Sequence, residues 1–283
     1  MAFVLAACRG QPRRSVERVA VGESAAAQRL DRAGVAVDDL GRSASRFFGA
    51  APGFVPAGAT GAGARRFLGR VNVEEAEVLA GGPSGGAVAN VVISVELSSL
   101  DGDPALRETG RAAEPVGKSP DALRGALERA ATAALERAVA AFGIQLAAER
   151  KRTPELVRDL SSPEARVRDH AVRVLGDRGE REAVPALLGR LRDPDPEVAE
   201  RTVGALAQLR DQRAVPALIE LAHHRDGSYV ANLSHVVGDI GGSDAKAWLL
   251  TMASGHPDEV VRGAAREALT EMSVRAPHAR FDP

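Results

Sequence analysis

The chain has a single cysteine, Cys8, in 283 residues, and aromatic side chains make up only 3% of it. With no second thiol, an intrachain disulfide and a C-x-x-C ligand frame are both ruled out, and so is a thiol nucleophile inside the folded body. The scarcity of aromatics leaves little for base stacking. A net charge of −1, from 37 basic and 38 acidic residues, lacks the basic bias of a phosphate-binding surface, so nucleic acid is not expected as a partner. No segment approaches the roughly 18 consecutive apolar residues of a membrane span. None of the six histidines (His170, His223, His224, His235, His256 and His278) stands in an H-E-x-x-H frame or a related one. Adjacent His223 and His224 on a helix would point about 100° apart and could not share one metal face. Gly82-Pro83-Ser84-Gly85-Gly86 fits G-x-S-x-G by letters. A proline adjoins the serine and strand-like sequence follows where a nucleophile elbow needs a helix, so it reads as a hairpin loop. The chain is therefore expected to have no catalytic residues, no metal and no cofactor.

What the chain does have is self-similarity. Between Pro154 and Met272 it repeats with a period of about 31 residues. Pro154-Glu155-Leu156-Val157 recurs as Pro185-Ala186-Leu187-Leu188 and as Pro216-Ala217-Leu218-Ile219, with Lys246-Ala247-Trp248-Leu249-Leu250 as a degenerate fourth copy. Pro163 falls on Pro194, Val167 on Val198, Leu175 on Leu206, and Ala183-Val184 on Ala214-Val215. Each copy reads as a helical hairpin. Proline stands in the first turn, where its missing N–H costs nothing, and Leu187, Leu188 and Leu191 form one apolar stripe. Asp193-Pro194-Asp195-Pro196 stops that helix and caps the next, whose buried face is Val198, Thr202, Val203 and Leu206. About eight helices follow from such segments, stacked as a solenoid because no single unit can bury its own apolar face. In the third copy the register is expected to slip by about three residues after His223-His224-Arg225-Asp226-Gly227, with Gly241-Gly242 shortening the next turn, and the stretch from His223 to Gly242 is the first place to look for a site.

On these residues, above all Asp195-Pro196-Glu197-Val198 through Arg213-Ala214-Val215-Pro216-Ala217-Leu218, the chain resembles the HEAT-like repeats of phycobilisome lyase subunits and bacterial scaffolds. The resemblance implies a curved surface that binds proteins or peptides, without implying a reaction. Two enzyme groups share such repeats. Bilin lyases would imply a pigment-binding cytosolic setting, and deoxyhypusine hydroxylase uses His-Glu pairs on helical repeats to hold iron. This chain has no His-Glu dipeptide. A scaffold would present side chains of the first helix of each repeat, so Arg158, Arg190, Glu220 and Trp248, with His223 and His224, are the candidate partner-binding residues. Trp248 has the type enriched at binding hot spots, yet its repeat equivalent is Ala217, and gap filling in the last hairpin is the favoured role.

The region before the repeats has a different texture. Arg66 to Val73 and Val88 to Leu97 alternate with period two and read as strands, with a third from Leu106 to Ala113. A helix is expected from Val37 to Phe48. Ser119-Pro120-Asp121 opens another that carries Leu123, Leu127, Ala130, Ala134, Leu135, Val139 and Phe142 along one side. Strands followed by a long helix suggest a small α+β domain with an antiparallel sheet covered on one face by helices. Glu149-Arg150-Lys151-Arg152 reads as a solvated linker, and the Gly-, Ala- and Pro-rich stretch 49–64 as a loop.

At the other end, Phe3-Val4-Leu5-Ala6-Ala7-Cys8 resembles the lipobox of a bacterial lipoprotein. The resemblance implies acylation of Cys8 and anchoring by two or more acyl chains. A secretion signal needs a basic start and about 7–15 apolar residues, and no lysine or arginine precedes Cys8, so this reading expects an in-frame extension upstream of Met1. The competing reading is an ordinary N-terminus with an inert thiol.

The expected organisation is thus a lipobox and tether (1–14), an α+β domain (15–150), an all-α HEAT-like solenoid (151–273) and a tail (274–283). The expected function is a non-catalytic, membrane-tethered scaffold for a protein or peptide partner. It would face the periplasm in a bacterial envelope, with Arg9 after the cysteine favouring the outer membrane. The alternative is a structural or regulatory subunit of an enzyme complex of the bilin lyase kind, cytoplasmic if the lipobox is spurious.

Overall fold

The computed structural model describes residues 14–58, 64–80, 86–119, 121–223 and 225–275. Cys8, Ser84, His224 and His278, together with most of the expected tether and tail, lie outside the described residues. The chain divides into two compact units, 1–146 and 147–283.

The first unit is built on a five-stranded sheet in the order β2-β1-β3-β4-β5. Its elements in chain order are β1 (Arg14–Val21), α1 (Ala25–Arg32), α2 (Asp38–Ala50), β2 (Phe54–Val55), β3 (Arg65–Leu79), β4 (Val88–Ser99), β5 (Leu106–Pro115) and α3 (Ala122–Ala148), whose last residues belong to the second unit. β3, β4 and β5 pair antiparallel, as their short connections require. The expectation of a wholly antiparallel sheet is corrected at β1. This strand runs parallel to β3 and to the two-residue β2, because the chain between β1 and β3 crosses over through α1 and α2.

α3 lies against β5 at Gly110, where a Cβ would stand 1.9 Å from the Ala134 carbonyl oxygen and 2.6 Å from the Ala138 nitrogen. Backbone meets backbone there, which only glycine permits. Along the same helix Ala126, Ala130, Ala131, Ala134 and Ala138 are fully buried. Phe48 of α2, Phe54 of β2 and Phe142 of α3 close one end of the core, with ring centroids 5.0, 5.6 and 6.3 Å apart. Such tilted and edge-on pairs are favoured by the ring quadrupoles.

The second unit contains four helical hairpins among the described residues. They are α4 (Thr153–Asp159) with α5 (Ala165–Asp177), α6 (Val184–Leu188) with α7 (Pro196–Leu209), α8 (Val215–Ala222) with α9 (Gly227–Ile240), and α10 (Ser243–Gly255) with α11 (Glu259–Arg275). Short 3-10 turns, Arg181–Ala183 and Gln212–Ala214, lead into α6 and α8. Leu156, Leu187, Leu218 and Leu249, each one period after the last, are all fully buried, and Leu175, Leu206, Val237 and Ala268 form a second such series.

The expected slip in the third copy does not occur. Asp226 caps α9 one period after Asp195 caps α7. Gly179, Arg210 and Gly241, again one period apart, all have positive φ, at 70°, 48° and 75°. What is irregular is the following turn, where Gly242 also has positive φ and sits so close to the Gln212 side chain that a Cβ would stand 2.9 Å from it.

Candidate functional site

Four hairpins in phase bring the same face of each repeat outward, and the side chains on that face define the candidate site. On α4, Arg158 is exposed, and its Nε donates only to the Pro154 carbonyl of its own helix at 3.3 Å. On α8, Glu220 is exposed and lies 3.3 Å from the Nδ1 of His223, itself exposed at the helix end.

Arg190 and Trp248 are placed differently. Arg190 is half-buried and donates to Asp193 at 3.2 Å. Trp248 is half-buried and packs against the repeat core, as does Met252. Arg158, Glu220 and His223 are thus exposed, as are Lys246, Ala247 and Leu250 of α10, while Arg190 and Trp248 are half-buried against the interior.

The interior carries a polar network that sequence reasoning missed. Arg168 of α5 is buried and makes a bidentate pair with buried Asp193 in the next repeat, Nε to Oδ2 at 2.8 Å and Nη2 to Oδ1 at 2.6 Å. Its remaining Nη1 donates to the carbonyls of Ser162 and Pro163, so the guanidinium is fully used. Burial alone would push the Asp193 carboxyl up, yet hydrogen bonds from Arg168 and from the Asp195 N–H, with the charges of Arg168 and Arg190, hold it below the ordinary carboxylate value. A pair so completely desolvated and bonded positions two repeats against each other, and removing one partner would strand a buried charge.

Further links tie the first hairpin to the chain ahead of it and successive repeats to one another. Arg178 donates to the carbonyls of Glu149 and Lys151, both at 2.7 Å. Arg181 donates to the Leu209 carbonyl at 3.2 Å, and Arg213 to the Arg181 carbonyl at 2.8 Å. Asp169 pairs with Arg201, and Asp239 with Arg275. Arg178 and Arg181 thus occupy carbonyls at helix ends, and the Arg181 carbonyl accepts from the Val184 N–H of its own turn as well as from Arg213.

His170 lies in the middle of α5 with 2% of its surface exposed. Burial, reinforced by the charges of Arg173, Arg166 and Arg201, pushes its pKa down to about 3, so the ring is neutral in the fold. Among the described residues no group of three His, Cys, Asp or Glu side chains is placed to hold a metal ion. No described helix is long and apolar enough to cross a membrane.

An array of helical hairpin repeats, with an apolar period and capped turns in phase, defines an α-solenoid. The family model for HEAT repeats matches the chain at residues 120–195, 153–234 and 187–270. These matches together span more than half of the chain, which belongs to the HEAT-repeat family. Among solved structures, the chain is similar to the complex of CpcE and CpcF of phycocyanin lyase from Nostoc sp. PCC7120, at 24% identity and a TM-score of 0.39, with 48% of this chain and 60% of that one covered. A crystal structure of an engineered protein is similar at 18% identity and a TM-score of 0.34, covering 50% of this chain and 74% of that one. No curated protein matches the chain.

Proposed function

We propose that the chain is a non-catalytic scaffold whose HEAT-repeat unit binds a protein or peptide partner, tethered to a bacterial envelope membrane by lipid on Cys8. The observation that carries the first half of this reading is the division of labour between the two faces of the hairpins. The in-phase leucines and the Arg168–Asp193 pair are consumed in stacking, whereas Arg158 and Glu220 face solvent. A surface that recurs with the repeat suits an extended partner, which can engage several hairpins at once.

Crosslinking in membrane fractions is expected to recover one defined partner. Arg158→Glu combined with Glu220→Lys is expected to release it; unchanged recovery would count against this face. Arg190 is left out because reversing its charge would disturb buried Asp193.

The tether rests on the sequence Leu5-Ala6-Ala7-Cys8. Acylation of that thiol would hold the chain at the membrane with the folded units in the periplasm, at the outer membrane in the reading that Arg9 favours. Expressed with its upstream reading frame, the protein should incorporate labelled palmitate, and Cys8→Ser should abolish it. Equal labelling of the variant would remove the tether from the account.

A further inference from the structure

Gly179, Arg210 and Gly241 occupy equivalent positions just past the ends of α5, α7 and α9, and all three have positive φ, with Arg210 in the left-handed helical region. Glycine adopts that conformation freely, which is why it is the usual residue after a helix end. Arginine does not, because its Cβ crowds the adjoining carbonyl at a cost of about 1 kcal/mol. Arg210 is the only described non-glycine residue with positive φ. Its backbone N–H makes the same kind of helix-closing bonds, to the carbonyls of Leu206 and Ala207 at 3.2 Å, that a glycine would make there. The backbone therefore has no use for an arginine.

The side chain has no internal use either. Arg210 is exposed and makes no side-chain hydrogen bond or ion pair among the described residues. Its neighbours differ: the Arg181 guanidinium is tied to the Leu209 carbonyl, and that of Arg213 to Asp211 at 2.6 Å and to the Arg181 carbonyl. The three arginines thus meet at one turn, since the Arg181 guanidinium reaches the carbonyl that precedes Arg210 and the Arg213 guanidinium reaches the Arg181 carbonyl. The nearest carboxylate in sequence, Asp211, is already taken by Arg213, whose hydrogen bond holds its pKa down to about 2. Of the other acids in this stretch, Glu180 accepts from Thr153 at 2.7 Å and Glu182 is exposed.

From strain without internal compensation, and a cation without an internal partner, we infer that Arg210 is a contact residue for a carboxylate-rich segment of a protein partner at the inter-repeat edge formed by Arg181, Arg210 and Arg213. The inference rests on the scaffold reading and deepens it, by naming the partner's chemistry and a second face of the same unit. A carboxylate docked on Arg210 supplies the counter-charge that the fold withholds, and the tied guanidiniums on either side add to the local positive potential.

The test uses the full chain, a fluorescein-labelled oligoglutamate peptide and a labelled oligonucleotide at low salt. Wild type is expected to bind the peptide and to prefer it to the oligonucleotide. Arg210→Gly is expected to bind it about threefold more weakly, the size of one exposed ion pair. The same variant should melt about 2 °C higher, because the strain is relieved. Arg210→Lys should recover most of the affinity with no gain in melting temperature, and Arg192→Gln, which removes an exposed arginine elsewhere, should change neither. Undiminished peptide binding by Arg210→Gly, an equal loss in Arg192→Gln, or a preference for the oligonucleotide would each overturn the inference. Crosslinking separates this failure from that of the scaffold reading. A partner recovered equally by wild type and Arg210→Gly removes Arg210 alone, whereas no partner for wild type removes the scaffold.

Discussion

His170 shows how a single residue couples this fold to pH. Its ring is neutral and buried in the native state, with a pKa pushed down to about 3, whereas in the unfolded chain it titrates near 6.5. Above the unfolded value both states are neutral and the residue contributes no pH dependence. Between roughly 6.5 and 3 the unfolded chain binds a proton that the native state refuses, so stability falls by about 1.4 kcal/mol for each pH unit of acidification. Replacing His170 with leucine is expected to flatten urea-melt stability between pH 6.5 and 5 relative to wild type; an unchanged slope would show that the ring is not the acid-sensitive group. From sequence, His170 could be placed beside apolar Ala171, but its neighbours Arg166, Arg173 and Arg201 could not be gathered around it, since Arg201 comes from the next repeat. The same limit applies to Arg190. In sequence it reads as part of an outward helix, whereas it stands in the turn after α6, and only the fold brings Arg168 across to share Asp193 with it.

At the level of elements, legibility followed how often a signal recurs. The buried leucines of the repeat unit recur in each of the four hairpins, so their periodicity stood out even where single helices are short, as α6 is at five residues. The capping aspartates recur as well, and they keep the third hairpin in phase although its sequence suggested a slip. β1 had no such support. Its alternation is broken by an irregularity between Val16 and Arg18, and its partners β2 and β3 lie far along the chain. A parallel strand with a local kink leaves little trace in a period-two pattern. The contact between α3 and β5 was equally silent, although Gly110 within a strand is the kind of residue that marks a close approach. Gly110→Ala is expected to cost several kcal/mol, because the added methyl meets the backbone of Ala134 and Ala138 and neither can move without shifting α3. A thermal or urea melt reads this directly, and a loss below about 0.5 kcal/mol would mean that the helix sits further from the strand.

The whole molecule combines a mixed sheet with helices and a stack of helical hairpins, two units with separate cores. The hairpins consume their apolar residues and several arginines in internal links, and they leave outward a face marked by Arg158 and Glu220 and an edge marked by Arg210. The fold of the second unit could be read from the period alone, whereas the division between internal and available arginines required the structure. The central claim is that this unit is the binding surface. Crosslinking the full-length chain in membrane fractions and mapping the linked residues by mass spectrometry tests it most directly. The account predicts links to a defined partner concentrated on the exposed residues of α4, α8 and α10 and the turn around Arg210; links confined to the sheet unit, with the repeats unmodified, would contradict it.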